Sequence, residues 1–362
     1  MRKTLVFVVL SILACLVAGP VVAAEGRTPV YLDGTVIGAS GKYIMTRNIV
    51  SGGAGIPVID IVAPYVDLDL NGFTIFGGPG APCIQISGTP VEVRIYNGTL
   101  VDGGSGIFRP LGLGQAQTVI IEDLKIEAMN GTGIELNEVE TVVIRRNRII
   151  DAGAVGILLP SPPFKHGSIT DNTIKRTRSD GISIDSAAAM EISHNQLEVI
   201  GAGVAGNGIV MKGSVGCLVA ENLISDAAGE GIILANSNGN KLRNNVVRHA
   251  FSHCIHFDVA CVDNFILDNV GTDCGFDFGA GHGLWIEGRR NHIEGNTLNG
   301  NQDCGLLLDN PSSGNVFGRN MARGNIGAGC PAICGLFPPE SCDLGVGNDS
   351  NLENMMPGPP PF

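Results

Sequence analysis

One residue type recurs along this chain at an interval that few folds can use. An asparagine, once replaced by aspartate, stands at Asn48, Asn71, Asn97, Asp123, Asn147, Asn172, Asn195, Asn222, Asn245, Asn269, Asn296 and Asn320, with spacings of 23 to 27 residues. A second column keeps step with it: Gly106-Ile107, Gly133-Ile134, Gly156-Ile157, Gly181-Ile182, Gly208-Ile209, Gly231-Ile232, Cys254-Ile255, Gly283-Leu284 and Gly305-Leu306. Self-similarity of this period marks a coil of stacked units. No stretch keeps the 3.6-residue apolar period long enough for a helix. Each unit instead holds short alternating runs such as GIELN, GISID, GIVMK and GIILA, which read as strands.

Strands this short cannot bury a face alone, but stacking each unit about 4.8 Å above the last turns equivalent positions into columns. The aliphatic residue after each glycine then points inward. The asparagines are expected to form a hydrogen-bonded ladder at a tight turn, because Asn tolerates left-handed backbone and its amide both donates and accepts. With 52 glycines and only 16% charged residues, the composition suits a large interior built from short elements rather than a disordered chain.

Over roughly residues 40 to 330 the pattern, with VDLDLNGFTI and VRIYNGTL near its start, resembles the right-handed β-helix repeat proteins of the pectate-lyase-like superfamily. The resemblance implies an all-β, right-handed, single-stranded parallel β-helix of about 11–12 rungs. It implies no single activity, because the fold serves lyases, hydrolases, epimerases, sugar-binding modules and inert scaffolds.

Arg2 and Lys3, an apolar run from Leu5 to Val17 and the small residues of AGPVVAAEG read as a secretory signal peptide over residues 1–24. Cys15 loosely resembles a lipoprotein box, but the apolar run continues past it, so a secreted or periplasmic chain is expected rather than a lipid-anchored one. Residues 25–47 would form an N-terminal cap and 48–329 the β-helix. Residues 330–362 would form a cysteine-containing C-terminal cap with a Pro-rich tail. No later segment looks membrane-inserted, and the expected state is a monomer. Without Arg2 and Lys3, 21 of the 23 basic residues face 35 acidic ones, a net charge of about −14. That excess argues against nucleic acid and anionic membranes, and weakly against polyanionic substrates unless a cation intervenes.

Nine of the ten cysteines follow the leader, an odd number for an oxidising compartment. Cys254, Cys261, Cys274 and Cys304 lie on adjacent rungs and are expected to form one or two disulfides. Cys330, Cys334 and Cys342 would tie down the C-terminal cover, and Cys83 reads as a buried free thiol.

With each glycine counted as zero, positions one and three face inward and are read as aliphatic throughout, so positions two and four project outward together. Position two runs Glu135, Leu158, Ser183, Val210, Ile233, His256, Trp285, Leu307, and position four runs Asn137, Pro160, Asp185, Lys212, Ala235, Asp258, Glu287, Asp309. Trp285, the single tryptophan, is thus expected above His256 and beside Glu287. Three carboxylates stacked at this spacing repel by roughly 3 kcal/mol per neighbouring pair at an effective dielectric near 20. In a shielded groove Asp258, Glu287 and Asp309 would therefore keep a proton or hold Ca²⁺. Either outcome serves acid catalysis or β-elimination, with His256, Asp258 and Glu287 as catalytic candidates. Trp285 would stack on a sugar or cover an apolar patch, with Asp309 and Arg289 as further substrate contacts. A transition-metal site from His253, His256 and His282 with Cys254, Cys274 and Asp277 is a weaker alternative.

The catalytic motifs of related families do not carry over. The GHG at Gly281–Gly283 is similar to that of polygalacturonases, but no Asp-Asp precedes it and no Arg-Ile-Lys follows it. The Asp-Pro-His-Asp of mannuronan epimerases and the Trp-x-Asp-His of pectate lyases are absent as well. The resulting expectation is an extracytoplasmic carbohydrate-active protein, a lyase or epimerase on a uronate-containing polysaccharide. The competing expectation is a non-catalytic carbohydrate-binding or surface scaffold, like the β-helix proteins of nitrous-oxide reductase maturation. A deep groove walled by the 199–207 and 270–282 insertions would favour the enzyme, a flat sheet the scaffold.

Overall fold

In the computed structural model, residues 26–53, 55–202, 206–276, 281–309, 312–325, 341–343 and 349–350 are described. The segment 1–24 expected to be a leader, Asp277, Cys330, Cys334 and the Pro-rich tail lie outside them, as do parts of both insertions and the side chain of Cys342. Among the described residues there are strands and no helix. The strands stack as a right-handed parallel coil of about 11 turns.

One face is a 13-stranded parallel sheet running from Thr35–Ile37 to Ser341–Asp343. Its register joins Ile107 to Ile134, Ile157, Ile182, Ile209, Ile232, Ile255, Leu284 and Leu306 without a slip, and all nine are buried. The other strands supply two more inward columns. Ile121, Ile144, Ile169 and Ile192 belong to one, and Ile126, Ile149, Ile174, Leu197 and Ile224 to the other. Three aliphatic columns meeting along one axis make a core that grows with every turn. The glycine column is fixed by close approach. A Cβ on Gly231 would lie 2.2 Å from Val247 Cγ1 and 2.5 Å from the Cys254 carbonyl oxygen.

Between Gly106 and Gly305, Cys254 is the one non-glycine in that column, and its neighbour adapts. The core position that is Val247 one turn below is Gly271, whose missing side chain leaves room for Cys254; a Cβ there would sit 3.2 Å from the sulfur. Cys254 is bonded to Cys274. Cys83 is a buried free thiol, and so are Cys217 and Cys261, so Cys261 takes no part in the expected pairing. Burial pushes the Cys83 and Cys261 thiols up to about 12, which leaves both unreactive.

Three sequence expectations need correction. The asparagine ladder exists, but its turn geometry changes along the coil. Asn71, Asn97 and Asp123 are themselves left-handed, with φ of 53°, 61° and 55°. From the next rung on, the left-handed residue is the one before the asparagine: Arg146, Asp171, His194, Glu221, Asn244 and Asp268. The amide must lie inside to reach the next turn, so the strained position passes to a side chain that can project into water. Each of Asn147, Asn172, Asn195, Asn222, Asn245 and Asn269 donates its backbone N–H and its Nδ2 to the Oδ1 of the next asparagine at 2.9–3.1 Å. A second ladder, Asn240, Asn264, Asn291 and Asn315, and a third, Asn301 to Asn325, serve the other turns.

The inward third position is not aliphatic throughout. Arg109 occupies it, fully buried, and its guanidinium donates to the carbonyls of Ile86, Gly88 and Gly114, while Phe257 fills it later. At the fourth position, a register shift beside the Pro162-Pro163 insertion sets Ser161, not Pro160, against Asn137.

Candidate functional site

His256 lies on the strand Ile255–Phe257 and Trp285 on the next, Leu284–Ile286, where the register makes them partners. Their rings stack at 4.3 Å and 8°. The imidazole is buried and clamped by two carboxylates. Its Nδ1 lies 2.9 Å from Glu230 Oε1, and its Nε2 lies 3.2 Å from Glu287 Oε2. Burial alone pulls this histidine down. The hydrogen bond and charge of Glu230, then those of Glu287, together outweigh burial and hold its pKa above the ordinary histidine value. The protonated form of His256 is thus the favoured one, with a half-buried counter-ion behind it and a more exposed one in front, at 14% and 25% side-chain exposure.

The residues that complete the site sit immediately before each glycine. Asp180, Asn207, Glu230, His253 and His282 form this column, and most of them cap the next turn. Asn207 N–H donates to Asp180 Oδ1, Glu230 N–H to Asn207 Oδ1, His282 N–H to His253 Nδ1, and Cys304 N–H to His282 Nδ1. Glu230 departs from the pattern, its Oε1 serving His256 instead. The two capping histidines fix their own chemistry. A ring nitrogen that accepts a backbone N–H carries no proton, so each imidazole is neutral with its proton on Nε2. Burial, then the charges of His282 and His256, pulls His253 down to about 3. Burial also lowers His282, against the raising effect of Asp303 and Asp309. His253 stacks on His282 at 5.0 Å and packs against Trp285 at 4.5 Å, closing an aromatic cluster of four rings. Two buried polar atoms around this cluster have no hydrogen-bond partner among the described residues, Glu230 Oε2 and Trp285 Nε1.

Of the residues expected from the sequence, His256, Trp285 and Glu287 are brought together. Asp258 is not in that group. Its carboxylate accepts from the backbone N–H groups of Asn236 and Ala260 at 3.0–3.1 Å, holding the turn. Asp309 acts on His282 through its charge. Arg289 is exposed at the turn, joined to Val262 by a backbone bridge, with no ion pair among the described residues. Glu230 was not anticipated at all. Its signal in the sequence is the polar run in the column before the glycines.

Comparison with known proteins agrees with this architecture. A family model described as the right-handed beta helix region matches residues 67–207, and one described as periplasmic copper-binding protein (NosD) matches residues 165–321. The chain is a right-handed parallel β-helix repeat protein. This β-helix is similar to the A-module of the Azotobacter vinelandii mannuronan C-5 epimerase AlgE4, at 17% identity over 91% of this chain and 92% of that one, with a TM-score of 0.60. It is also similar to the periplasmic alginate epimerase AlgG, at 18% identity over 82% and 77% of the two chains, with a TM-score of 0.61. At such identities the likeness is one of fold. No curated protein matches the β-helix in sequence.

The NosD description raises the question of copper, and the donor set does not fit it. Both nitrogens of His256 are taken by carboxylates, and His253 and His282 spend their unprotonated nitrogens on backbone N–H groups. Cys254, Cys274 and Cys304 are disulfide-bonded and offer no thiolate. The one His/Cys/Asp/Glu trio among the described residues that approaches within 4.8 Å is His282, Asp303 and Cys304, which fails on the same two grounds. Asp258, Glu287 and Asp309, the expected Ca²⁺ ligands, are not gathered into such a group.

Proposed function

We propose that this β-helix is an extracytoplasmic carbohydrate-active protein in which His256 and Glu287 exchange a proton with a polysaccharide lying along the 13-stranded face. The observation that carries the reading is the clamp: one buried imidazole, a carboxylate on each ring nitrogen, and the sole tryptophan stacked upon it. Glu230 holds the ring and its charge from behind. Nε2 faces Glu287, so a sugar oxygen that takes the place of Glu287 receives the proton, and the freed carboxylate stands beside it as the base. Acid and base on neighbouring rungs suit cleavage of a glycosidic bond, and also the removal and return of a carbon-bound proton in a lyase or epimerase. Trp285 is half-buried, with one ring face stacked on His256, and its exposed remainder is available to a sugar. The leader-like N-terminus and the disulfide support a location outside the cytoplasm.

The test is a polysaccharide panel assayed for new reducing ends, for absorbance near 235 nm and for changes in proton NMR. Conversion by the wild-type protein, with a drop of about 10²-fold or more in His256→Asn, is expected. An unaltered panel, or full activity in that variant, overturns catalysis at this site. Binding without conversion would assign the face to glycan recognition instead.

A further inference from the structure

The acidic balance of the sequence argues weakly against a polyanionic substrate unless a cation intervenes, and the expected Ca²⁺ ligands are not gathered into a site among the described residues. The face is acidic in its own right. Register places Glu135, Asp185 and Lys212 on its outward columns, and Asp258 and Glu287 continue the fourth position through backbone bonds to the turn below. With Asp309, which continues the fourth position in the same way, and Glu230, six carboxylates face one lysine and the His256 ring. Glu135, Asp185 and Asp258 have no ion pair among the described residues, and Asp185 Oδ1 is buried without a hydrogen-bond partner. The two histidines nearest the clamp are held neutral by their backbone caps and add no positive charge.

Resting on the carbohydrate reading above, we infer that the face selects a neutral, hydroxyl-bearing glycan and repels polyuronates. The unpaired atoms of the site point the same way. Glu230 Oε2 needs a donor and Trp285 Nε1 needs an acceptor. Both atoms are buried while the clamp is closed; a glycan that displaces Glu287 would offer hydroxyls to both, whereas a carboxylate would serve only the indole and add a negative charge beside Glu230 and Glu287. Neutral rings also stack on Trp285 without bringing a second anion to the carboxylates around it.

Because Trp285 is the only tryptophan, its fluorescence reports on this site and nowhere else. The full chain is titrated with neutral oligosaccharides (gluco-, manno-, xylo- and fructo-oligosaccharides) and with oligouronates of matched length, at low salt and at about 0.5 M NaCl. At least one neutral series is expected to bind at least tenfold more tightly than any oligouronate at low salt. Salt should leave the neutral ligand unaffected and strengthen any uronate binding, since screening relieves repulsion. The double variant Glu135→Gln, Asp185→Asn should raise uronate affinity several-fold and leave the neutral ligand unchanged. Oligouronates that bind more tightly than every neutral series, and weaken with salt, overturn the inference while the carbohydrate reading stands. Silence of Trp285 towards both classes overturns that reading and the inference with it.

Discussion

At the residue scale, the site is governed by what sits on each ring nitrogen. Glu230 raises His256, so Glu230→Gln should lower the histidine's pKa and move the alkaline limb of the pH–activity profile to lower pH. The ring proton signals of His256, followed by NMR, should shift in the same direction, and an unmoved titration would remove Glu230 from this role. His253 carries the opposite sign. Its folded pKa of about 3 lies below the ordinary 6.5, so its contribution to stability is complete above pH 6.5 and is lost as pH falls towards 3. The total is on the order of 4–5 kcal/mol. His256, raised by its partners, contributes fully below the ordinary histidine range and loses that contribution as pH rises through its folded pKa. Thermal melts should therefore fall steadily between pH 6.5 and 4, and His253→Asn, which keeps an acceptor for the His282 N–H, should flatten that slope. The sequence made His256, Trp285 and Glu287 legible because they obey strand alternation. Glu230 and His253 were not, because the chain bends at the glycine. A residue three places earlier then shares the outward face, which simple alternation forbids.

At the scale of elements, the ladders hold the turns. Removing Asn222 leaves the Ile192 carbonyl and two donors of Asn195 without partners inside the core. Asn222→Ala should cost about 3 kcal/mol and Asn320→Ala, at the partly exposed end of the same ladder, about 1 kcal/mol, read from urea midpoints. Equal losses would mean that the ladder is not what holds the turns. The ladder's spacing was plain in the sequence, yet its phase was not. Near the start asparagine is the left-handed residue, and later it is the neighbour of one, so a single consensus letter serves two geometries. The second and third ladders went unread because the repeat was defined by a single asparagine column, and theirs begin only late in the chain, at Asn240 and Asn301.

At the scale of the whole molecule, each turn touches only its neighbours, so stability is a sum of local terms and interfaces. The Cys254–Cys274 bond closes a 20-residue loop. By chain entropy it should contribute about 3 kcal/mol, which the Cys254→Ala, Cys274→Ala double variant is expected to lose in a chemical melt. The coil itself was legible from end to end because its period leaves no alternative way to bury two dozen short apolar runs. Its direction of assembly was hidden. Between one ladder asparagine and the next the donor precedes its acceptor by some 23 to 27 residues, although each Nδ2 also reaches back to a carbonyl of the turn before; in the column that caps the site the acceptor comes first. A chain leaving the ribosome can thus seal one turn's asparagines only once the following turn has emerged, whereas each histidine cap is ready before the amide it will hold. Synthesis would zip the scaffold one step behind its own growing end, with the capping wall beside His256 laid down in advance.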